Sequence, residues 1–360
     1  MALAGPEVDA QAPYAIKPFT HHCSKHNQEK HMLKRMLPVL FILLAALMLP
    51  SKADEYHWYR GNTHTHTNRV DGDATPEEVA TWYKAHGYNF IVLSDHDCLT
   101  DPSDLAGLVD GSFILIPGEE ISGKFEKKSL HVNGINIKSR IDRSEGNSVA
   151  EVLQKSVDAV RAQGGVPQLN HPNRFYSFDD SDLLALRNVN LLEIYNMNKD
   201  SNNFGGGGHL STEQIWDRAL TAGKVFYGVC SDDSHFVKKE FNADIPYAGK
   251  AWVVVRAPAL TAVEIAKAMQ KGDFYSTNGV ILEEVTVDDR EYVVKIVEPK
   301  GKDYSFTTKF IGRDGKVLAS VDGLCARYAY RGDELYVRAR VEASSGDFAI
   351  TQPHFLKKKQ

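Results

Sequence analysis

Cysteine is scarce in this chain, with four in 360 residues: Cys23, Cys98, Cys230 and Cys325. Three of them lie beyond the N-terminal region, an odd set without the short spacing of a thiolate metal site, and this excludes a disulfide scaffold. Cys98 and Cys230 each adjoin a polar motif and would be the one pair able to bridge in an oxidising compartment; two buried thiols are the expectation. A basic surplus is missing too. The formal net charge is −5, and no nucleic acid is expected as partner. Only one long apolar run occurs. Met32 to Pro50 reads MLKRMLPVLFILLAALMLP, a basic start and an apolar stretch too short to span a bilayer comfortably, leading into Ser51-Lys52-Ala53. It reads as a secretory signal peptide cut after Ala53, which places the mature protein in the periplasm or outside the cell with no stable membrane anchor. The residue directly after the cut is Asp54 and not a cysteine, so lipid attachment is not indicated. Residues 1–31 are polar and patternless and read as a mis-assigned start, with translation beginning at Met32 or Met36. Without residues 1–53 the chain keeps 36 basic and 44 acidic residues, a formal charge of −8.

What is present is the composition of a globular protein, 42% hydrophobic and 25% charged, which argues against disorder and a coiled coil. Four helix starts carry a hydroxyl followed three residues later by Glu or Gln: Thr75/Glu78, Ser148/Glu151, Ser211/Gln214 and Thr261/Glu264. That spacing lets the hydroxyl accept from the third helical amide while the longer side chain reaches back. Helical periodicity follows, as in Val149, Val152, Leu153, Val157 and Val160. Short apolar runs of β type alternate with these helices: NFIVLSD, FILIPGEE, LHVNGINI, VPQLNHP, LLEIYN, VFYGVCSD and AWVVVRA. Alternation of this kind predicts a parallel α/β sheet, and about seven units predict closure into a (β/α)7-type barrel over residues 54–279. After Asn278-Gly279 the runs become strands with turn signals and no helix, predicting a small antiparallel β domain over 280–360. Its expected role is structural. The Gly205–Gly208 run reads as a slack loop with His209 beside it as a candidate substrate contact.

Potential metal ligands recur at the C-terminal ends of the apolar runs, where barrel active sites are built. They comprise His64, His66 and Asp71 in HTHTNRVDG, His96 in SDHD, Glu119 and Glu120 in PGEEIS, His131 in LHVNG, His171 in NHPNR, and Asp233 and His235 in SDDSH. Imidazole and carboxylate together suit first-row divalent ions. So many buried ionisable groups at one face would cost several kcal/mol without cations. Asp95, Asp97, Asn170 and Glu193 sit at or beside strand ends and are candidates to orient the imidazoles.

These motifs, in this order from about Trp58 to His235, resemble the polymerase and histidinol phosphatase (PHP) family. HTHTNRVDG, TPEEVATWYKAHGYNFIVLSDHD, IPGEEIS, HVNG, NHPNR and SDDSH are most similar to its small phosphoesterase branch. GDFYSTNG and the trailing β region resemble a secreted branch that includes a carbamate-ester hydrolase. The resemblance implies a distorted PHP barrel with three divalent metal ions. His64, His66, Glu120 and Asp233 would hold the first; Glu120 would bridge to a second held by His131 and His171; Asp71, His96 and His235 would hold the third. Glu119 is the alternative to Glu120, and Asp232 to Asp233.

A hydroxide shared by the first two ions is then the expected nucleophile, because metal binding lowers the pKa of water from about 16 toward 7. Three divalent ions against three carboxylates and a hydroxide leave a surplus of about +2, which calls for an anionic substrate. Arg174 and His209 are candidates to grip a phosphoryl group or protonate the leaving oxygen. The expected function is hydrolysis of small phosphodiesters, phosphomonoesters or both, with zinc, manganese or iron as the metal. Hydrolysis of a carboxylic or carbamate ester or amide at the same centre is the alternative.

Overall fold

The computed structural model describes residues 55–239 and 245–357. The signal-peptide and start-site readings fall on residues 1–53 and lie outside the described residues. The first ten strands are β1 His57–Asn62, β2 Phe90–Leu93, β3 Ile114–Phe125, β4 Lys128–Ile135, β5 Ser144–Glu145, β6 Val166–Leu169, β7 Leu191–Asn196, β8 Tyr227–Ser231, β9 Trp252–Ala257 and β10 Phe274–Thr277. The helices are α1 Pro76–Ala85, α2 Val149–Ala162, α3 Asp180–Ala185, α4 Thr212–Thr221 and α5 Ala262–Lys271. The C-terminal strands are β11 Leu282–Val287, β12 Glu291–Ile296, β13 Phe306–Ile311, β14 Val317–Asp322, β15 Cys325–Ala329, β16 Tyr336–Ala343, β17 Phe348–Thr351 and β18 His354–Phe355.

Each hydroxyl at the four expected helix starts does accept from the third helical amide. The return half of the capping box forms at Thr75 and Ser211 only. In α2 the Glu151 carboxylate instead accepts from the Asn147 amide at 2.9 Å, and in α5 Glu264 pairs with Lys267 at 2.8 Å. α3, which sequence spacing did not flag, is capped by Asp179 with Asp182 reaching back.

The expected all-parallel closed barrel is corrected to a mixed α/β architecture with one large sheet, of order β14-β13-β16-β17-β10-β9-β1-β2-β3-β4-β6-β7-β8. β1, β2 and β3 run parallel, as do β6, β7 and β8. Between those two groups β4 pairs antiparallel on both sides. Only Glu126 and Lys127 connect β3 to β4, and two residues allow a hairpin but no crossover. β9 is likewise antiparallel to β1. Among the described residues the ladder ends at β8, and side chains occupy its outer edge. Gly228 N–H donates to Gln352 Oε1 at 2.7 Å, and Cys230 N–H donates to Ser276 Oγ at 3.1 Å. The Gly228 carbonyl accepts from the same two side chains at 3.0 and 2.8 Å. These bonds satisfy the edge without a further strand.

Beyond residue 279, β17 continues the large sheet by pairing with β10, while β11, β12 and β15 form a separate three-stranded antiparallel sheet. One apolar cluster contains Val152, Leu153, Leu192, Ile194 and Trp216 together with Tyr336, Phe348 and Ile350 from the C-terminal strands. Arg338 of β16 is buried against α4, where Asp217 receives its Nε and Nη2 at 2.9 and 2.7 Å. Cys230 is buried, Cys98 half-buried and Cys325 exposed, all as free thiols.

Candidate metal centre

Each ligand-type side chain reaches one place by a different local route. β1 ends at Asn62, and the next residues carry His64 and His66, held by a bridge between Thr65 and Ser234 and by His66 N–H donating to Ser234 O at 2.8 Å. His96 follows β2 and bridges to Glu120. β3 runs past the ends of its parallel neighbours, so Glu120 lies in mid-strand, and His131 comes from the antiparallel partner β4 opposite Ser122. His171 follows β6, and Asp233 and His235 follow β8. His171 and Asp233 take left-handed backbone, φ 27 and 46°, a conformation costly for residues with a Cβ and characteristic of functional loops.

The nine expected ligands converge. Glu120 is at the middle: Oε2 lies 3.2 Å from His64 Nε2, 3.3 Å from His66 Nε2 and 3.2 Å from His96 Nδ1. Its Oε1 lies 3.0 Å from His131 Nδ1 and 3.2 Å from His171 Nε2. Asp233 Oδ1 meets His64 and His66 at 3.2 and 3.0 Å. Asp71 Oδ2 lies 3.3 Å from His235 Nε2 and 3.7 Å from His96 Nε2, and Asp71 Oδ1 lies 3.5 Å from His66 Nδ1. Among the described residues, three sets have ligand atoms within 4.8 Å of one another: His64, His66, Glu120 and Asp233; His96, Glu120 and His131; His66, Asp71 and His235. The first set has the same members as the first site implied by sequence. In the other two, His96 and His66 stand between neighbouring groups, because His96 faces Asp71 and Glu120 while His66 faces Asp71, Glu120 and Asp233.

Glu119 and Asp232 face elsewhere. Glu119 accepts from the Ile141 amide, and burial pushes its carboxyl up to about 7. Asp232 takes hydrogen bonds from Asn62, Tyr83 and the amides of Gly249, Lys250 and Ala251. Of the four orienting candidates, Glu193 accepts from His64 Nδ1 at 3.0 Å and from His171 N–H at 2.8 Å, and Asn170 donates to Glu120 at 2.8 Å. Asp95 instead binds Thr67, while Asp97 binds Ser122 and Arg143. Both brace loops. Sequence reasoning missed Ser231, which donates to Glu193, and Asn196, which donates to Glu193 and Asp233 at 2.9 and 3.2 Å. Each is a polar residue that ends a strand of apolar type, the available signal. Arg174 Nη1 reaches Asp233 Oδ2 at 3.3 Å. His209 is exposed, its ring stacked on Tyr176 at 3.6 Å.

The electrostatics suit cations. Burial raises Glu120 and Asp233, but the imidazoles around them outweigh it and hold both well below the ordinary carboxylate range. Burial and the neighbouring His235 lower His66 to about 4, so its ring is neutral and carries a lone pair at neutral pH. Buried His64 Nε2, His66 Nδ1, His96 Nδ1, His131 Nδ1 and Glu120 Oε2 have no partner in hydrogen-bonding geometry, although imidazole and carboxylate atoms face one another there at 3.0–3.5 Å. Buried polar atoms are normally satisfied. A set of orphaned imidazole nitrogens around a carboxylate oxygen is the donor chemistry of a divalent-ion site, and these residues fit one.

No family model matches the chain. Among curated proteins it is 27% identical over 194 residues to the 5'-3' exoribonuclease of Haemophilus influenzae, covering 51% of this chain and 61% of that one. The chain thus spans less than two thirds of that relative. Among solved structures it is similar to a two-domain protein from Bacteroides vulgatus containing a predicted PHP-like metal-dependent phosphoesterase, with 15% identity, 84% of this chain and 95% of that chain covered, and a TM-score of 0.45. It is also similar to an amidohydrolase from Chromobacterium violaceum with bound sulfate, with 14% identity, 52% and 93% coverage, and a TM-score of 0.34.

Proposed function

We propose that the chain is an exported metal-dependent phosphoesterase that hydrolyses small phosphodiesters, phosphomonoesters or both, with three divalent ions at the centre on Glu120. Support comes chiefly from the five buried ligand-type atoms that lack partners in hydrogen-bonding geometry around that carboxylate. Ions of the zinc, manganese or iron type, once bound, would supply Lewis acidity and a water of lowered pKa. The chain's own residues do the rest. Glu193 holds His64 and the His171 backbone, which sets two imidazoles before any ion arrives. Glu193 also adds a buried carboxylate beside the cluster, trimming the expected positive surplus without reversing it, so an anionic substrate remains favoured. Arg174 has one nitrogen on Asp233 and others free to donate to a phosphoryl oxygen, a geometry suited to tetrahedral anions. His96, His131 and His235 keep some solvent exposure and mark the open side.

The test is incubation of the metal-loaded protein with bis(p-nitrophenyl) phosphate, p-nitrophenyl phosphate, a p-nitrophenyl carboxylate and a short oligoribonucleotide. The last belongs in the panel because the Haemophilus relative is named an exoribonuclease. Turnover of either small phosphate supports the proposal. Turnover of the carboxylate alone would replace it with ester or amide hydrolysis, and turnover of the oligoribonucleotide alone would replace the small substrate with RNA.

A further inference from the structure

Asp71 and His235 belong to two loops far apart in sequence, and the side chain that fastens these loops is neither of them. Asp73 lies two residues beyond Asp71. Its carboxylate accepts from three successive amides of the other loop, Val237 at 3.0 Å on Oδ1 and Lys238 and Lys239 at 3.1 and 3.2 Å on Oδ2. The Asp73 N–H donates to the His235 carbonyl at 2.9 Å. Successive amides converging on one carboxylate form a charge-assisted cradle, stronger than neutral hydrogen bonds.

The location gives this clamp its consequence. The roots of the two loops are already joined by the Thr65–Ser234 bridge, close to His64, His66 and Asp233. The tips carry Asp71 and His235, whose facing atoms are 3.3 Å apart. His235 is turned toward Asp71 because its Nδ1 donates to the Asp233 carbonyl at 2.8 Å. Asp71 has the most exposed side chain of the nine ligand candidates, 41%, and no strand ladder holds it. Gly72 lets the chain turn there: a Cβ would stand 2.8 Å from the Thr67 carbonyl carbon. We propose that Asp73 is a positioning residue for the ion shared by His66, Asp71 and His235, an assignment that rests on the metal reading above. Asp73 sets the spacing of the two loop-tip ligands and leaves the other ions to ligands held at the loop roots and on strands.

The experiment compares the full chain with Asp73→Ala and the near-isosteric Asp73→Asn, each stripped of metal and titrated with Mn²⁺, with stoichiometry read by elemental analysis. In Asp73→Ala one ion should weaken on the order of 10–100-fold, the usual effect of removing a group that orients ligands, while the remaining ions bind as in the parent. Asp73→Asn keeps one acceptor oxygen and should fall between. Amide hydrogen exchange at residues 237–239, measured without metal, should quicken in both variants. Unchanged binding of every ion would overturn the proposal, as would equal weakening of all ions with a lower melting temperature, the pattern of a merely structural residue. A parent chain that binds no Mn²⁺ would overturn the metal reading and this assignment with it, and the exchange result would still report separately whether the clamp exists.

Discussion

Glu193 Oε1 and His64 Nδ1 lie 3.0 Å apart, both side chains fully buried, and that bond decides which nitrogen of His64 faces the cluster. With Nδ1 turned to Glu193, Nε2 is the nitrogen that points to Glu120 and Asp233. A Gln at 193 would keep the shape but replace one acceptor oxygen with a donor among groups that already donate: His64, the His171 amide, Ser231 and Asn196. Glu193→Gln is expected to weaken ion binding on the order of 10–100-fold, read by competition with a chelating dye. Parent-like affinity would remove Glu193 from the orienting role.

Glu120 touches five imidazoles, and no other side chain in the cluster replaces it. Glu120→Gln is expected to lose ions from more than one site and to abolish turnover, measured by elemental analysis and a p-nitrophenyl phosphate assay. A variant with full metal content would show that the carboxylate is not shared.

Arg174 and His209 differ in reach. Arg174 contacts Asp233, whereas His209 stacks on Tyr176 in an exposed loop. Arg174→Ala should lower kcat/KM on phosphate esters by about 10²-fold, the scale for one donor to a developing anion, and Arg174→Lys should recover only part of it. His209→Ala should do less. A larger loss at His209 would reverse these roles.

Glu119 predicts a pH dependence of stability. Its folded carboxyl is raised by burial to about 7 from an ordinary 4.5. The folded state therefore holds the proton more tightly than the unfolded chain, and this contribution is complete below pH 4.5 and is lost as pH rises through about 7. Glu119→Gln keeps the oxygen that accepts from Ile141 and cannot ionise. Melting curves of metal-stripped protein should show the parent losing stability relative to Glu119→Gln between those limits. Parallel curves would contradict the assignment.

Arg338 and Asp217 test the packing of β16 on α4. Arg338→Ala leaves the buried Asp217 carboxylate without its guanidinium partner, which should destabilise the protein by about 3–5 kcal/mol. Urea denaturation followed by circular dichroism would check it, and a loss below 1 kcal/mol, about the value of an exposed pair, would mean that water replaces the arginine.

Much of the site was legible because its residues stand in short motifs at strand ends. Helix starts at Thr75, Ser148, Ser211 and Thr261 were legible for a similar reason: a cap is decided by atoms three residues apart. The all-parallel closed barrel was not a sound extrapolation. Apolar runs such as LHVNGINI show that a strand forms, and strand direction depends on what precedes it, here the two-residue β3–β4 turn. Likewise nothing near VFYGVCSD reveals that Ser276 and Gln352 will occupy its edge.

The amino-acid sequence by itself determined where helices begin, which segments become strands, and that imidazoles and carboxylates would gather at their ends, since each depends on neighbours a few residues away. Tertiary structure alone decided which distant strands pair, the turning of Glu120 and Asp233 into the cluster with Glu119 and Asp232 buried against other partners, and the contacts of Glu193 and Asp73. Those outcomes depend on hydrogen bonds between segments up to some 170 residues apart, and only the packed chain brings such donors and acceptors within reach.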